Sequence, residues 1–315
     1  MKKMVLRFAG SLAGVAVVGF CAIIIWLKVI LPDVGKAPDI HIRANPAEVA
    51  RGSYLVQHVA RCMDCHSDRD MQLTAGPMEP GTMGQGGEVF DESKGLPGHF
   101  VAKNITPYNL GFWTDGEIFR AITAGVTREG KSLFPVMPFP NYGQLDSLDI
   151  CAIISYIRTI PSIHKDVEDS RPDFPVNWKI NTYPSPPHFR PAPPAGVNAA
   201  YGKYLVLMAN CQGCHGDNFS GNEYFPLPTG GVVHSSNITP DQQYGIGSWS
   251  LEAFISRFKF YSDSSFHPLP IAREQFNSAM PWTFFSGMTV RDLSAIYTYL
   301  RTIPPVHQAV VRFVP

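Results

Sequence analysis

The chain has no excess of charge, because 26 basic residues are offset by 26 acidic ones over 315 residues. That balance excludes the strongly basic profile of a nucleic-acid binder and gives no reason for adhesion to an anionic surface. Strand signals are weak, so a mainly helical chain is expected. Cysteine is sparse, with six residues, and Cys21 and Cys151 stand apart without a pairing pattern. Both read as small apolar residues. The N-terminal apolar run from Phe8 to Leu27 lacks a cleavage site: Trp26-Leu27-Lys28-Val29-Ile30-Leu31-Pro32 offers nothing of the A-x-A kind. Twenty uncharged residues at ~1.5 Å each span the ~30 Å bilayer core, so this run reads as an uncleaved membrane anchor. Lys2, Lys3 and Arg7 keep the N-terminal end in the cytoplasm, sending residues from about 33 onward across the membrane.

The remaining four cysteines form Cys62-Met63-Asp64-Cys65-His66 and Cys211-Gln212-Gly213-Cys214-His215. A lone CxxC suits a redox dithiol or half a zinc site. Here each copy is followed at once by histidine, the arrangement that covalent attachment of a c-type haem requires. The two sulfurs add to the porphyrin vinyl groups, and the histidine is held under the iron as proximal ligand.

The motifs belong to a longer repeat. Gly52-Ser53-Tyr54-Leu55-Val56 is echoed by Gly202-Lys203-Tyr204-Leu205-Val206, and Asn104-Ile105-Thr106-Pro107 by Asn237-Ile238-Thr239-Pro240. Met137-Pro138 and a helix from Asp149 to Arg158 return 143 residues later as Met280-Pro281 and Asp292 to Arg301. Two copies of one unit are expected. Helices are predicted from Pro46 to Ala60, from Thr114 as cap through Ala124, and from Asp146-Ser147-Leu148-Asp149, an acidic variant of the capping box, to near Pro161. Residues 67 to 103 read as a long loop. Between Val167 and Val197 eight prolines interrupt the chain. This is a semi-rigid linker that sets the spacing of the units, and its aromatics Phe174, Trp178, Tyr183 and Phe189 suggest that it lies against a surface.

What occupies the sixth position of each iron decides the function. Met137 and Met280 are the candidates, each followed by proline, which favours an extended backbone that presents a side chain from a loop. A thioether closes the iron and raises its potential. Met71, Met78 and Met83 are weaker rivals. His58 has no histidine counterpart and reads as surface; His99 and His234 do not align with one another. Trp113, Trp249, Asn104 and Asn237 could reach a haem propionate or could simply wall the pocket. Gly52 and Gly202 are read as the close crossing of first and last helices, facing Tyr156 and Tyr299.

The two CxxCH motifs, the repeated Asn-Ile-Thr-Pro, the Met-Pro loops and the closing helices resemble the membrane-associated cytochrome c subunits of bacterial alcohol and gluconate dehydrogenases. Those subunits commonly carry three haem motifs, whereas this chain has two and adds an anchor. The resemblance implies class I-like cytochrome c domains, His/Met ligation and electron relay from a partner dehydrogenase towards the respiratory chain. The expectation is therefore an all-α protein: tip and anchor 1–32, tether 33–45, first cytochrome c domain 46–166, linker 167–197 and second cytochrome c domain 198–315. Cys62, Cys65, His66 and Met137 would hold one haem c, and Cys211, Cys214, His215 and Met280 the other. It would be a single-pass protein of the bacterial inner membrane with its haem domains in the periplasm, and not itself an enzyme. Redox proteins, a dehydrogenase subunit, an oxidase or a soluble cytochrome, would be its partners, or the quinol pool its donor. A dihaem peroxidase or a haem-based sensor is the alternative, and either would need an open iron.

Overall fold

A computed structural model describes residues 2–315, with side chains from Ser11 onward. Met1 and the side chains of Lys2, Lys3 and Arg7, on which the expected orientation rests, lie outside the described residues. The N-terminal helix α1 (Lys2–Ile25) continues as a π-helical turn, Trp26–Ile30. Its stretch Ser11–Ile30 has a mean hydropathy of 2.4 and buries none of itself in the protein, which makes it long and apolar enough to cross a membrane.

Two halves of matching design follow. The first begins with α2 (Pro46–Tyr54), extended by a π-helical turn at Leu55–Val59, and α3 (Cys62–His66). Asn45 and Glu48 cap α2 reciprocally, satisfying amides that a helix start leaves open. Strands β1 (Val89–Phe90) and β2 (Gly98–Val101) come next. They are followed by α4 (Pro107–Leu110), α5 (Asp115–Ala124), α6 (Phe139–Tyr142) and α7 (Ser147–Ile157). Thr114 caps α5 as its sequence implies, in a box with Glu117. The proline-rich stretch contributes β3 (Arg171–Pro172) and α8 (Val176–Lys179). The second half comprises α9 (Ala199–Met208), α10 (Gln212–His215), β4 (Tyr224–Pro226), β5 (Val232–His234), α11 (Leu251–Lys259), α12 (Trp282–Phe285), α13 (Val290–Leu300) and β6 (Phe313–Val314).

The expectation of an all-α chain is corrected here. Each half carries a three-stranded antiparallel sheet, β1-β2-β3 and β4-β5-β6, with Phe90 opposite Phe100 and Phe225 opposite Val233. In both, the third strand is supplied by chain lying beyond the closing helix. Strands of two to four residues are too short for an alternating pattern to register in a sequence.

First and last helices of each half cross at a glycine. A Cβ on Gly52 would lie 1.9 Å from the Ala152 carbonyl oxygen, and one on Gly202 would lie 1.9 Å from that of Ala295. Tyr156 and Tyr299 face them, each with its Cβ 2.9 Å from the same point. The halves pack directly against each other, and one apolar core runs through both, joining Leu55, Ile150 and Ile153 to Leu205, Met208 and Leu293. Spacing between the halves is therefore set by this contact, not by the proline-rich stretch as its composition suggested.

Two reciprocal hydrogen bonds tie the contact. Tyr54 Oη donates to Asp292 Oδ2 at 2.7 Å, and Tyr204 Oη donates to Asp149 Oδ2 at 2.7 Å. The same hydroxyls accept from the backbone amides of Thr289 and Asp146, the N-caps of the opposite closing helices. Residue i of one half thus meets j of the other while j meets i, the pattern of a two-fold interface. It also alters the expected acidic capping box. Asp146 caps α7, but Asp149 turns away to Tyr204 and to Arg51, whose Nε lies 2.9 Å from its Oδ1.

Candidate haem sites

Each CxxCH motif begins after a residue with left-handed backbone, Arg61 (φ 47°) or Asn210 (φ 53°). This reversal turns the chain from the long helix into the short motif helix. Gly86 then donates its amide to the His66 carbonyl at 2.9 Å, and Gly221 to the His215 carbonyl at 2.9 Å. Both glycines have positive φ, and a Cβ on either would strike backbone atoms at 2.3–2.5 Å. The chain that wraps the motif can approach it only as glycine.

The histidines are held alike. His66 Nδ1 lies 2.6 Å from the Lys103 carbonyl oxygen and His215 Nδ1 lies 2.7 Å from that of Ser236. A carbonyl only accepts, so Nδ1 carries the proton and Nε2 keeps its lone pair. Burial pushes both imidazoles below their usual pKa and favours the neutral form that binds metal. An orienting carbonyl on the second nitrogen is the common support of a metal-binding histidine. Burial likewise raises the thiols, with Cys62, Cys65 and Cys211 pushed up to about 12 and Cys214 also upward. All four are unpaired, and among the described residues no three His, Cys, Asp or Glu side chains converge on a metal site. Two thiols beside a histidine with a free Nε2, and no third ligand group converging on the thiols among the described residues, fit thioether attachment of a haem better than a four-ligand zinc cage.

The Asn-Ile-Thr-Pro segments fasten the same wall. Asn104 Nδ2 donates to the Ile163 and Lys165 carbonyls, and Asn237 Nδ2 to those of Val306 and Gln308. Their Oδ1 atoms accept from Thr106 and Thr239. Both amides are fully used within the protein, so they clasp the chain beyond the closing helix to the residue after each histidine's acceptor. Arg158 adds a second clasp, donating to the Leu110 and Trp113 carbonyls.

Met137 and Met280 are half-buried against the core and stand on the same turn. The amide of Phe139 donates to the Met137 carbonyl at 2.7 Å and that of Trp282 to the Met280 carbonyl at 2.8 Å. The intervening prolines have φ −78° with ψ 48° and 64°, an inverse γ-turn. Met78 and Met83, by contrast, line a cavity of about 180 Å³ with Gln57, His58, Met63 and Phe284. Tyr156 Oη donates to Met83 sulfur at 3.9 Å. His58 is not a surface residue as its lack of a counterpart suggested: it sits in the contact between the halves, with Nδ1 2.9 Å from the Phe284 carbonyl. His99 pairs with Glu168 at 2.8 Å, tying β2 to the proline-rich stretch.

Sequence reading passed over Arg61. Its guanidinium is paired with Asp64 and stands over the Phe285 ring at 5.6 Å. Its charge acts on Cys65 of its own motif and on Cys211 and Cys214 of the other. Arg61 is therefore a cation lodged between the two motifs. The signal was its alignment with Asn210, a residue type that tolerates left-handed backbone.

Paired thiols, an oriented imidazole and a glycine-lined wrap thus recur in both halves. Residues 199–304 match the cytochrome c family model, so the chain carries a cytochrome c domain, which implies covalently bound haem c. Over most of its length the chain is similar to cytochrome subunits of dehydrogenases. One is the alcohol dehydrogenase (quinone) cytochrome c subunit of Gluconacetobacter polyoxogenes, 26% identical over 86% of this chain and 58% of the relative. Another is the fructose dehydrogenase cytochrome subunit of Gluconobacter japonicus, 27% identical over 84% of this chain and 56% of the relative. A third is the gluconate 2-dehydrogenase cytochrome c subunit of Pantoea cypripedii, 26% identical over 71% of this chain and 53% of the relative. The chain thus spans somewhat over half the length of these curated relatives.

Proposed function

We propose that this chain is a membrane-anchored dihaem c-type cytochrome that relays single electrons between a dehydrogenase, or the quinol pool, and downstream respiratory acceptors. The observation that carries the reading is the duplicated histidine cradle, with Nδ1 spent on a carbonyl and Nε2 free in both halves. Cys62 and Cys65 would hold the first haem with His66 and Met137 as axial ligands. Cys211 and Cys214 would hold the second with His215 and Met280. The haem, when bound, supplies the one-electron couple. The protein orients the proximal imidazole, keeps water from the site and presents methionine sulfur from a proline-fixed turn. The domains would run as 46–166 and 198–315. Ser11–Ile30 would cross the inner membrane, with the haem domains on the periplasmic side.

A pyridine haemochrome assay on the purified chain is expected to give two haems c per polypeptide. Cys62→Ala with Cys65→Ala should leave one. A single haem in the unaltered chain would contradict the dihaem reading.

A further inference from the structure

The proline-rich stretch carries aromatics of two kinds. Tyr183 and Phe189 are absorbed by the first half, edged onto Phe134 at 5.5 Å and tilted onto Phe119 at 5.3 Å. Phe174 and Trp178 are not. They pack edge-on against one another at 6.2 Å, yet remain 74% and 40% exposed. Trp178 reaches instead to the N-terminal helix, where its ring lies 6.2 Å from that of Phe20, midway along the apolar run Ser11–Ile30.

This placement is fastened by polar contacts. Asn181 Nδ2 donates to the Leu27 and Leu31 carbonyls at 3.0 and 3.2 Å. Its Oδ1 accepts from Ser132 of the first half at 2.8 Å. Lys28 Nζ donates to the Asn177 carbonyl. One asparagine therefore joins the haem-bearing body, the aromatic segment and the end of the apolar helix.

We propose that Phe174, two residues before α8, and Trp178, within it, form a second membrane contact that dips into bilayer hydrocarbon beside the anchor. The inference rests on the reading that Ser11–Ile30 crosses the membrane. Ten residues separate Phe20 from Ile30, about 15 Å along a helix, which is about half the hydrocarbon thickness. A ring in contact with Phe20 shares its surroundings. The helix that Trp178 meets is itself bare apolar surface, with Val18, Ile23 and Trp26 70%, 56% and 49% exposed. Lipid is thus the occupant that the geometry favours over a protein partner. Exposed Lys179 and the stem of Lys28 suit the headgroup level, with apolar stems inward and charges in water. A single helix would leave the body free to swivel; a second immersed point clamped through Asn181 fixes its orientation over the bilayer.

The test places a nitroxide at Phe174→Cys in a Cys21→Ser, Cys151→Ser background of the haem-loaded full chain. The chain is reconstituted alone in phosphatidylethanolamine–phosphatidylglycerol vesicles. Val18→Cys reports the anchor, and the Soret spectrum confirms that each variant is folded. Power saturation compares collision with oxygen, which partitions into lipid, and with a water-soluble nickel chelate. Both positions are expected to favour oxygen over nickel. Position 18 in lipid with position 174 open to nickel would overturn the proposal while leaving the anchor standing. Shielding of position 174 from both reagents would replace lipid by a protein contact and also overturn it. Nickel access at position 18 would show instead that the helix does not cross, and the proposal would fall with that reading.

Discussion

Arg61 holds a left-handed backbone that costs a residue with a Cβ roughly 1–2 kcal/mol, where the second half has the more tolerant Asn210. What it supplies in exchange is charge: Asp64 anchors the guanidinium beside thiols of both motifs. A cation there favours whichever state of a neighbouring redox centre carries the extra electron. Arg61→Asn should relieve the backbone and remove the charge. The midpoint potentials of both haems are expected to fall in spectroelectrochemical titration. Unaltered potentials would show that the arginine serves packing alone.

At the scale of elements, the helix crossings and the π-turn explain how one design tolerates two sequences. Tyr54 precedes Cys62 by eight residues, but Tyr204 precedes Cys211 by seven. The extra residue is taken up where Ala60 N bonds to Leu55 O across five residues, while its counterpart Ala209 N bonds to Leu205 O across four. The motif and the crossing thereby keep their register, and the bulge turns His58 into the contact between the halves. The crossings are less forgiving. Gly202→Ala would drive a methyl group into backbone at the Ala295 carbonyl, so the cost is expected at or above the upper end of ~1–3 kcal/mol for overpacking. Chemical denaturation measures it, and a loss below 0.5 kcal/mol would mean that the helices part easily. This crossing was legible because Gly52 and Gly202 stand at matched places before matched motifs. So was the cap at Thr114, whose side-chain chemistry is local. The short strands were not, since β3 and β6 pair with residues some 70 or 80 positions earlier and carry no periodicity. Nor was the diversion of Asp149: an acid three residues after a cap reads as a box until Tyr204 arrives from the other half.

For the whole molecule, the reciprocal tyrosine–aspartate pairs tie the two halves to each other. Burial and the neighbouring carboxylates raise the pKa of Tyr54 and Tyr204 above the ordinary phenol value, so the folded state favours the protonated hydroxyls. The stability they give is full below the unfolded pKa of about 10 and is lost as pH rises through the folded values. Above about pH 10, and through pH 12, the unaltered protein is expected to lose stability. The double variant Tyr54→Phe, Tyr204→Phe should start about 1.5–3 kcal/mol lower per bond and lose less over the same interval. An equally steep alkaline loss in the variant would place the titration elsewhere.

Electron relay through two closed irons is the claim on which the proposed function stands, and carbon monoxide tests it most directly. The motivation is the pair of identical proline turns at Met137 and Met280. Carbon monoxide should bind the reduced wild-type protein poorly, and should bind one haem readily in Met137→Ala and the other in Met280→Ala. Stoichiometric binding at a haem of the reduced wild-type protein would reveal an open iron and contradict the pure relay.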